Sequence, residues 1–279
     1  MNFKPNELNT ARKNLLEKTV DYFLAKKGVE ALFVQGSVAS GKADEFSDID
    51  FRVVVQPELH EQFLLERFSA PKYWGEWIYN EWTAIPWICV SHFHPFNKID
   101  VLYYKPEDLQ PSPWFLQPIL IIFDSKKLIY QIIQASQGLE FVLSIDEVNR
   151  LISKGLAHAE EVYRRAMRGE LFYAQSLLDN FRIIIIQFDD YFQKKPSSSV
   201  SAHFEQRGSQ IMIAALKYSY PLLEKQSILN SLSILLDVYQ EQVIKLYERL
   251  PLNRDMKTDL HWINILIELC KSSINYYNS

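Results

Sequence analysis

Two stretches of this chain hold residues whose types and spacing can do phosphate chemistry. In "ALFVQGSVASGKADEFSDIDFRVVV", residues 31–55, Gly36 and Ser37 follow one apolar run, and Asp48 and Asp50 flank Ile49 at the start of another. Side chains two apart on a strand share a face, roughly 7 Å apart along the backbone at about 3.3 Å per residue. Two carboxylates so placed can hold Mg²⁺, a hard cation that takes oxygen ligands and completes its shell with substrate phosphates. Glycine lets backbone approach a phosphate closely, and the serine hydroxyl and the amides after it can donate to one. A two-metal displacement at phosphorus needs a further carboxylate. Asp100 in "NKIDVLYY" is the candidate, because Ile99 and Val101 flank it as on a strand with one face in a core and the other carrying a site.

The same stretch contains "GSVASGK", residues 36–42, which has the G-x-x-x-x-G-K skeleton of a P-loop. That motif needs a Ser or Thr after the lysine to ligate Mg²⁺, and a long helix opening at the lysine. Ala43 stands there instead, and "ADEFSDIDFRVVV" turns acidic and then strand-like within a few positions, leaving no room for the helix. Lys42, Asp44 and Glu45 therefore read as a solvated polar turn.

These residues need elements to hold them. Apolar positions at helical spacing over residues 7–27 predict an amphipathic helix, and "ALFV" and "FRVVV" predict short buried strands. "PWICVSHFHPFNKIDVLYYKP" reads as a hairpin turning at "HPFN", and "ILIIF" as one more strand. From the S-x-x-E capping box at Ser144 to Glu147 onward the pattern is helical. One stripe runs from Val148 to Ala166 and another from Leu171 to Phe188, with Gly169 between them. "KKPSSS" reads as a loop, and two further helices, about 226–249 and 254–276, are separated by Leu250-Pro251. The fold class is thus α+β: residues 1–140 form a mixed sheet with flanking helices, and residues 141–279 an all-α bundle of four or more helices.

Other residues qualify as ligands on weaker grounds. "YWGEWIYNEWTAIPW", residues 73–87, gathers aromatics with Glu76 and Glu81 and can line a pocket for a ring-bearing acceptor or simply pack a core. His92 and His94 share one face of the hairpin without a third ligand nearby in sequence. Glu170, after Gly169, can either bind an acceptor or complement a helix dipole.

Bulk properties narrow the classes. The chain has 279 residues, 48% apolar and 23% charged, with a net charge of -4. This composition suits two globular domains and excludes extended disorder, and it offers no basic footprint for nucleic acid. Cys89 and Cys270 have no metal-ligand spacing, so neither zinc nor a disulfide framework is expected. The polar start "MNFKPNELNTARKN" does not look like a signal peptide, and the apolar runs are too short for a bilayer, so a cytoplasmic protein with no membrane partner is expected.

An apolar strand, Gly-Ser, a short spacer, Asp-x-Asp in a strand and a third acid in a later strand together resemble the polymerase-β-like nucleotidyltransferases. Within that superfamily, "GSVASGKADEFSDIDF" looks like the first motif of lincosamide nucleotidyltransferases. "NKIDVLYYKPEDL", "ILIIFDSKKLI" and "RGELFYAQSLLDNFR" look like parts of aminoglycoside 6-adenylyltransferases, which end in a helical domain. The resemblance implies transfer of a nucleoside monophosphate, AMP first of all, from ATP or another NTP to a hydroxyl of a small molecule. It implies two Mg²⁺ held by Asp48, Asp50 and Asp100, with Asp100 also able to take the hydroxyl's proton, while Gly36 and Ser37 hold the β- and γ-phosphates. Glu81 and Glu170 are the acceptor-binding candidates, and an antibiotic acceptor, hence a resistance role, is the expectation. Enzymes of the 6-adenylyl type often have Arg directly after Gly-Ser; Val38 stands here, so that contact is missing or supplied by Lys42. The alternative from another class is a catalytically silent member of the same fold that binds a partner, as an antitoxin-type module does. A protein or RNA acceptor is a further alternative, and the acidic balance disfavours RNA.

Overall fold

Alternation of buried and half-buried side chains marks the central strands of the first unit's sheet. β5 (Asn97–Tyr104) alternates buried and half-buried residues along its whole length, and β2 (Ile49–Val55) begins the same way. In the computed structural model, which describes residues 5–195 and 201–278, the chain divides into two compact units, Met1–Glu140 and Phe141–Ser279.

The first unit opens with α1 (Pro5–Leu24), followed by β1 (Val29–Gln35), the one-turn helix α2 (Gly36–Ala39), β2 and α3 (Pro57–Glu66). β3 (Trp77–Asn80), β4 (Ile88–Phe93), β5, β6 (Leu120–Asp124) and α4 (Leu128–Ala135) complete it. The six strands lie in the order β3-β4-β5-β2-β1-β6, with β2 and β5 parallel and every other pair antiparallel. The sheet is therefore mixed, and the expected hairpin is β4–β5. β3, α3 and α4 were not anticipated; β3 is a four-residue edge strand whose burial does not alternate.

Each face of the sheet has its own apolar cluster. Leu32, Val34, Ile49, Phe51, Val53, Ile99, Val101 and Tyr103 face one side and pack with Leu15 and Phe23 of α1 and with Trp74. Ala31, Phe33 and Val54 face the other side and pack with Ile129 and Ile132 of α4, whose first turn is capped by the Asp124 carboxylate. Asp50 and Asp100, between the buried residues of their strands, fall on this second face, away from α1.

The second unit is helical: α5 (Ile145–Met167), α6 (Leu171–Gln193), α7 (Phe204–Arg207), α8 (Gln210–Tyr218), α9 (Lys225–Arg249) and α10 (Met256–Asn278). The Ser144–Glu147 capping box closes as expected, with both reciprocal bonds made. Both apolar stripes are buried: Val148, Leu151, Ile152, Ala159, Val162 and Ala166 meet Leu178, Phe181, Ile185 and Phe188, with α9 packed against both helices. The loop expected at "KKPSSS" lies, from residue 196 onward, outside the described residues, as do the first four residues of the polar N-terminal stretch. Both cysteines are free and buried. Among the described residues, no helix is long and apolar enough to cross a membrane.

Candidate active site

Strand register brings the acids together. Asp50 pairs with Asp100 across the parallel β2–β5 ladder, which puts their backbones about 4.8 Å apart with side chains on one face. On one flank Gln35, the last residue of β1, pairs with Asp50. On the other, Val90 pairs with Asp100, and the Glu81 amide donates to the Val90 carbonyl at 2.9 Å. Glu81, Val90, Asp100, Asp50 and Gln35 thus form one row across the sheet, with Glu81 two strand spacings, about 10 Å, from Asp100.

Gly36 follows Gln35 directly, and its reason lies in that row. Its φ is +68°, and a Cβ there would sit 2.3 Å from Asp50 Oδ2. Only glycine both takes this left-handed conformation without strain and leaves room for the carboxylate. Gly36 also starts α2 and Ser37 follows in its single turn, where no side chain caps the helix. A one-turn helix leaves its first amides without intrahelical partners, beside the Asp50 carboxylate.

Asp48 stands one residue before β2, at the end of a pinned turn. Asp44 accepts from the Phe46 amide at 3.0 Å and from Ser47 Oγ at 2.8 Å, and the serine contact holds its carboxyl below the usual range. The buried Arg12 of α1 donates to the Asp44 carbonyl and, at 3.5 Å, to the Ser47 carbonyl. Lys42 is exposed on this turn, whose register comes from Asp44 and Arg12.

The electrostatics are those of crowded acids with borrowed cations. Lys98 Nζ lies 2.8 Å from Asp48 Oδ2 and 3.2 Å from Asp100 Oδ1, while Arg52 reaches Asp50 Oδ1 at 3.4 Å. Burial pushes the Asp100 carboxyl up; Lys98 counteracts this, and Asp48 and Asp50 add to the rise. For Lys98, burial disfavours the ammonium, but Asp48 and Asp100 outweigh it and hold its proton more firmly than usual. Asp100 Oδ1 is buried and accepts no hydrogen bond, since the Lys98 contact to it is close without bond geometry.

That orphaned oxygen and an all-carboxylate donor set suit a hard dication. Among the described residues, no three His, Cys, Asp or Glu side chains are arranged to hold an ion. Lys98 and Arg52 sit against the acids. The sequence reading missed both residues. The signal for them was the period of two, since Lys98 shares a face with Asp100 and Arg52 with Asp50.

The remaining candidates separate. Glu81 is half exposed and pairs with His92 Nε2 at 2.8 Å, and the His92 ring stacks on Tyr79 at 4.3 Å between centroids. His94 pairs with Glu76 instead, so the two histidines do not form a ligand pair. In the aromatic stretch, Trp74 is core, whereas Tyr73, Tyr79, Trp82 and Trp87 are exposed. Glu170, in the second unit, divides its carboxylate between Arg165 at 2.8 Å and Arg168 at 2.9 Å, which closes the corner between α5 and α6. A cavity of about 170 Å³ lies elsewhere, lined by Lys18, Trp74, Glu76 and His94 among others, and none of the three aspartates faces it.

No curated protein matches the chain. Among solved structures, an aminoglycoside 6-adenyltransferase from Bacillus subtilis is 14% identical, with 94% of this chain and 96% of that one covered at a TM-score of 0.43. A nucleotidyltransferase-like protein from Exiguobacterium sibiricum is 9% identical, with 95% and 90% covered at 0.42. A spectinomycin adenyltransferase from Enterococcus faecialis, solved with ATP and spectinomycin, is 12% identical, with 96% and 100% covered at 0.33. Likenesses this distant establish neither substrate nor mechanism. The family described as nucleotidyltransferase domain matches residues 16–108, a segment that contains Gly36, Ser37, Asp48, Asp50, Lys98 and Asp100. That segment, which lies within the first unit, is what this chain shares with the nucleotidyltransferase domain family.

Proposed function

We propose that the protein transfers a nucleoside monophosphate, AMP first of all, from an NTP to a hydroxyl of a small molecule in the cytoplasm. The observation that carries this reading is the register of Asp50 with Asp100, with Gly36 closed against the Asp50 carboxylate, inside the matched segment. Asp48, Asp50 and Asp100 hold Mg²⁺, which when bound neutralises charge on the reacting phosphates. Gly36 and Ser37 bind the β- and γ-phosphates through amides at the start of α2. Asp100 accepts the proton of the attacking hydroxyl. The acceptor oxygen forms a bond to the α-phosphorus, the α–β anhydride breaks, and pyrophosphate leaves. Positioning and charge neutralisation supply most of the rate, because this chemistry asks little covalent work of a protein.

Glu81 lies about 10 Å from Asp100 along the acid row, which suits an acceptor that carries a cationic group away from its reacting hydroxyl. Aminoglycoside-like and lincosamide-like compounds are therefore the first acceptors to test, and resistance to one of them is the corresponding biological role. The direct experiment combines the protein with Mg²⁺, labelled ATP or GTP and a panel of such compounds, scoring pyrophosphate release. Release that requires one acceptor is expected. No release with any acceptor, together with no metal-dependent ATP binding, would sink the reading.

One observation favours the second reading, a catalytically silent partner-binding domain. Lys98 pairs with both Asp48 and Asp100 and offsets part of their charge. A silent domain binds neither Mg²⁺ nor nucleotide, so the same ATP-binding measurement separates the two.

A further inference from the structure

The acid row carries its own cation. Lys98 Nζ spans from Asp48 Oδ2 at 2.8 Å to Asp100 at 3.2 Å, joining the acid that precedes β2 to the acid on β5. The groups facing it are these two carboxylates, Asp50 one strand beyond Asp100, and His92, its register partner on β4. The Lys98 side chain is 32% exposed, so its four-carbon stem can swing outward without opening a core.

Three carboxylates on neighbouring strand positions repel one another, and a single ammonium offsets part of that repulsion. A dication attracts each carboxylate more strongly and repels the ammonium, so one pocket of oxygens cannot hold both. We propose that Lys98 is a displaceable stand-in for the metal: it closes the acid cluster when the site is empty, and a divalent cation binds only by expelling it. This rests on the reading above that the three aspartates hold a divalent cation. It adds that metal binding is an exchange, which makes the bare ion bind weakly and leaves tight binding to the metal–triphosphate pair.

The test titrates the full chain with Mn²⁺, following the free ion by electron paramagnetic resonance, in the wild type, Lys98→Met, Lys98→Gln and Asp50→Asn. Thermal melts of the metal-free proteins run alongside. Both Lys98 variants are expected to bind Mn²⁺ about tenfold more tightly than the wild type, a coupling of about 1.4 kcal/mol. They should also melt lower without metal and gain more from Mn²⁺. Folded Lys98 variants with unchanged or weaker Mn²⁺ affinity overturn the proposal. If Asp50→Asn alone loses the ion while the Lys98 variants match the wild type, only the exchange falls. If all four proteins fail to bind Mn²⁺, with or without α,β-methylene ATP, the functional reading falls with it.

Discussion

The buried acids of the helical unit and the half-buried acid at the centre of the sheet's row are held in opposite ways. In the helical unit each is closed off: Asp190 takes two bonds from Arg207 at 2.8 Å, and Asp189 takes the Ser209 amide and hydroxyl at 2.9 and 2.7 Å. Asp259 receives Arg254 at 2.8 and 2.6 Å and the Tyr247 hydroxyl at 2.6 Å. In the sheet unit, Asp100 keeps a buried oxygen without a hydrogen bond, beside two more acids that raise its pKa. Satisfied acids of the first kind join helices and loops. An unsatisfied acid on a sheet face costs stability, and such a cost marks a place where a ligand completes the set.

The largest effect that sharpens this contrast concerns activity alone. Asp50→Asn keeps the shape of the row and removes a charge on which the proposed transfer depends. It is expected to lower kcat/KM with the best acceptor by about a thousandfold, or about 4 kcal/mol, while leaving the melting temperature within a degree or two of the wild type. Steady-state pyrophosphate release with a thermal melt checks both halves. Full activity in this variant would refute the assignment of the row.

The next effect sets one unit against the other. Asp259→Asn leaves Arg254 without its carboxylate in a half-buried setting, at an expected cost of about 3 kcal/mol. Asp100→Asn instead removes a charge that burial and two neighbouring acids already disfavour. It is expected to be neutral or to gain up to about 1 kcal/mol, as removing a functional strain often does. Urea unfolding of the pair measures the difference. If both variants lose stability equally, the acids of the two units are alike and the contrast fails.

The sequence made the helical unit and the acid row legible for different reasons. The bundle was readable because its stripes repeat at 3.6 residues over more than twenty positions and its start carries a capping box, so pattern and end signal agree. The row was readable because Asp50 and Asp100 sit on strands whose other face is apolar, so a period of two reveals which side each takes, and Asp48 precedes Asp50 by that same period. What stayed hidden depended on pairing between strands. That Asp50 faces Asp100 is a property of parallel register, which no local pattern encodes. That Lys98 also reaches Asp48 depends on the same register. β3 escaped because four half-exposed residues on a sheet edge carry no alternation, and Arg12 escaped because its partners are backbone carbonyls 32 and 35 residues away.

The smallest effect tests whether the helical unit really rests on local, sequence-readable bonds. At the start of α5, Ser144 Oγ accepts from the Glu147 amide at 3.2 Å, and the Ser144 amide donates back to the Glu147 carboxylate at 2.9 Å. Ser144→Ala removes the hydroxyl half of the box and is expected to cost about 1 kcal/mol. The other half titrates. The Ser144 backbone amide, then its hydroxyl, hold the Glu147 carboxyl below its usual value. A carboxylate lowered in the folded state stabilises fully above its unfolded pKa and loses that contribution as pH falls through its folded pKa. The Ser144→Ala deficit should therefore be largest near neutrality and shrink below about pH 4. The same melts on Asp50→Asn serve as the control, because its neighbours lie in the other unit. A deficit that stays constant down to acid pH would show that Glu147 does not share in the cap, and would leave the helix start to Ser144 alone.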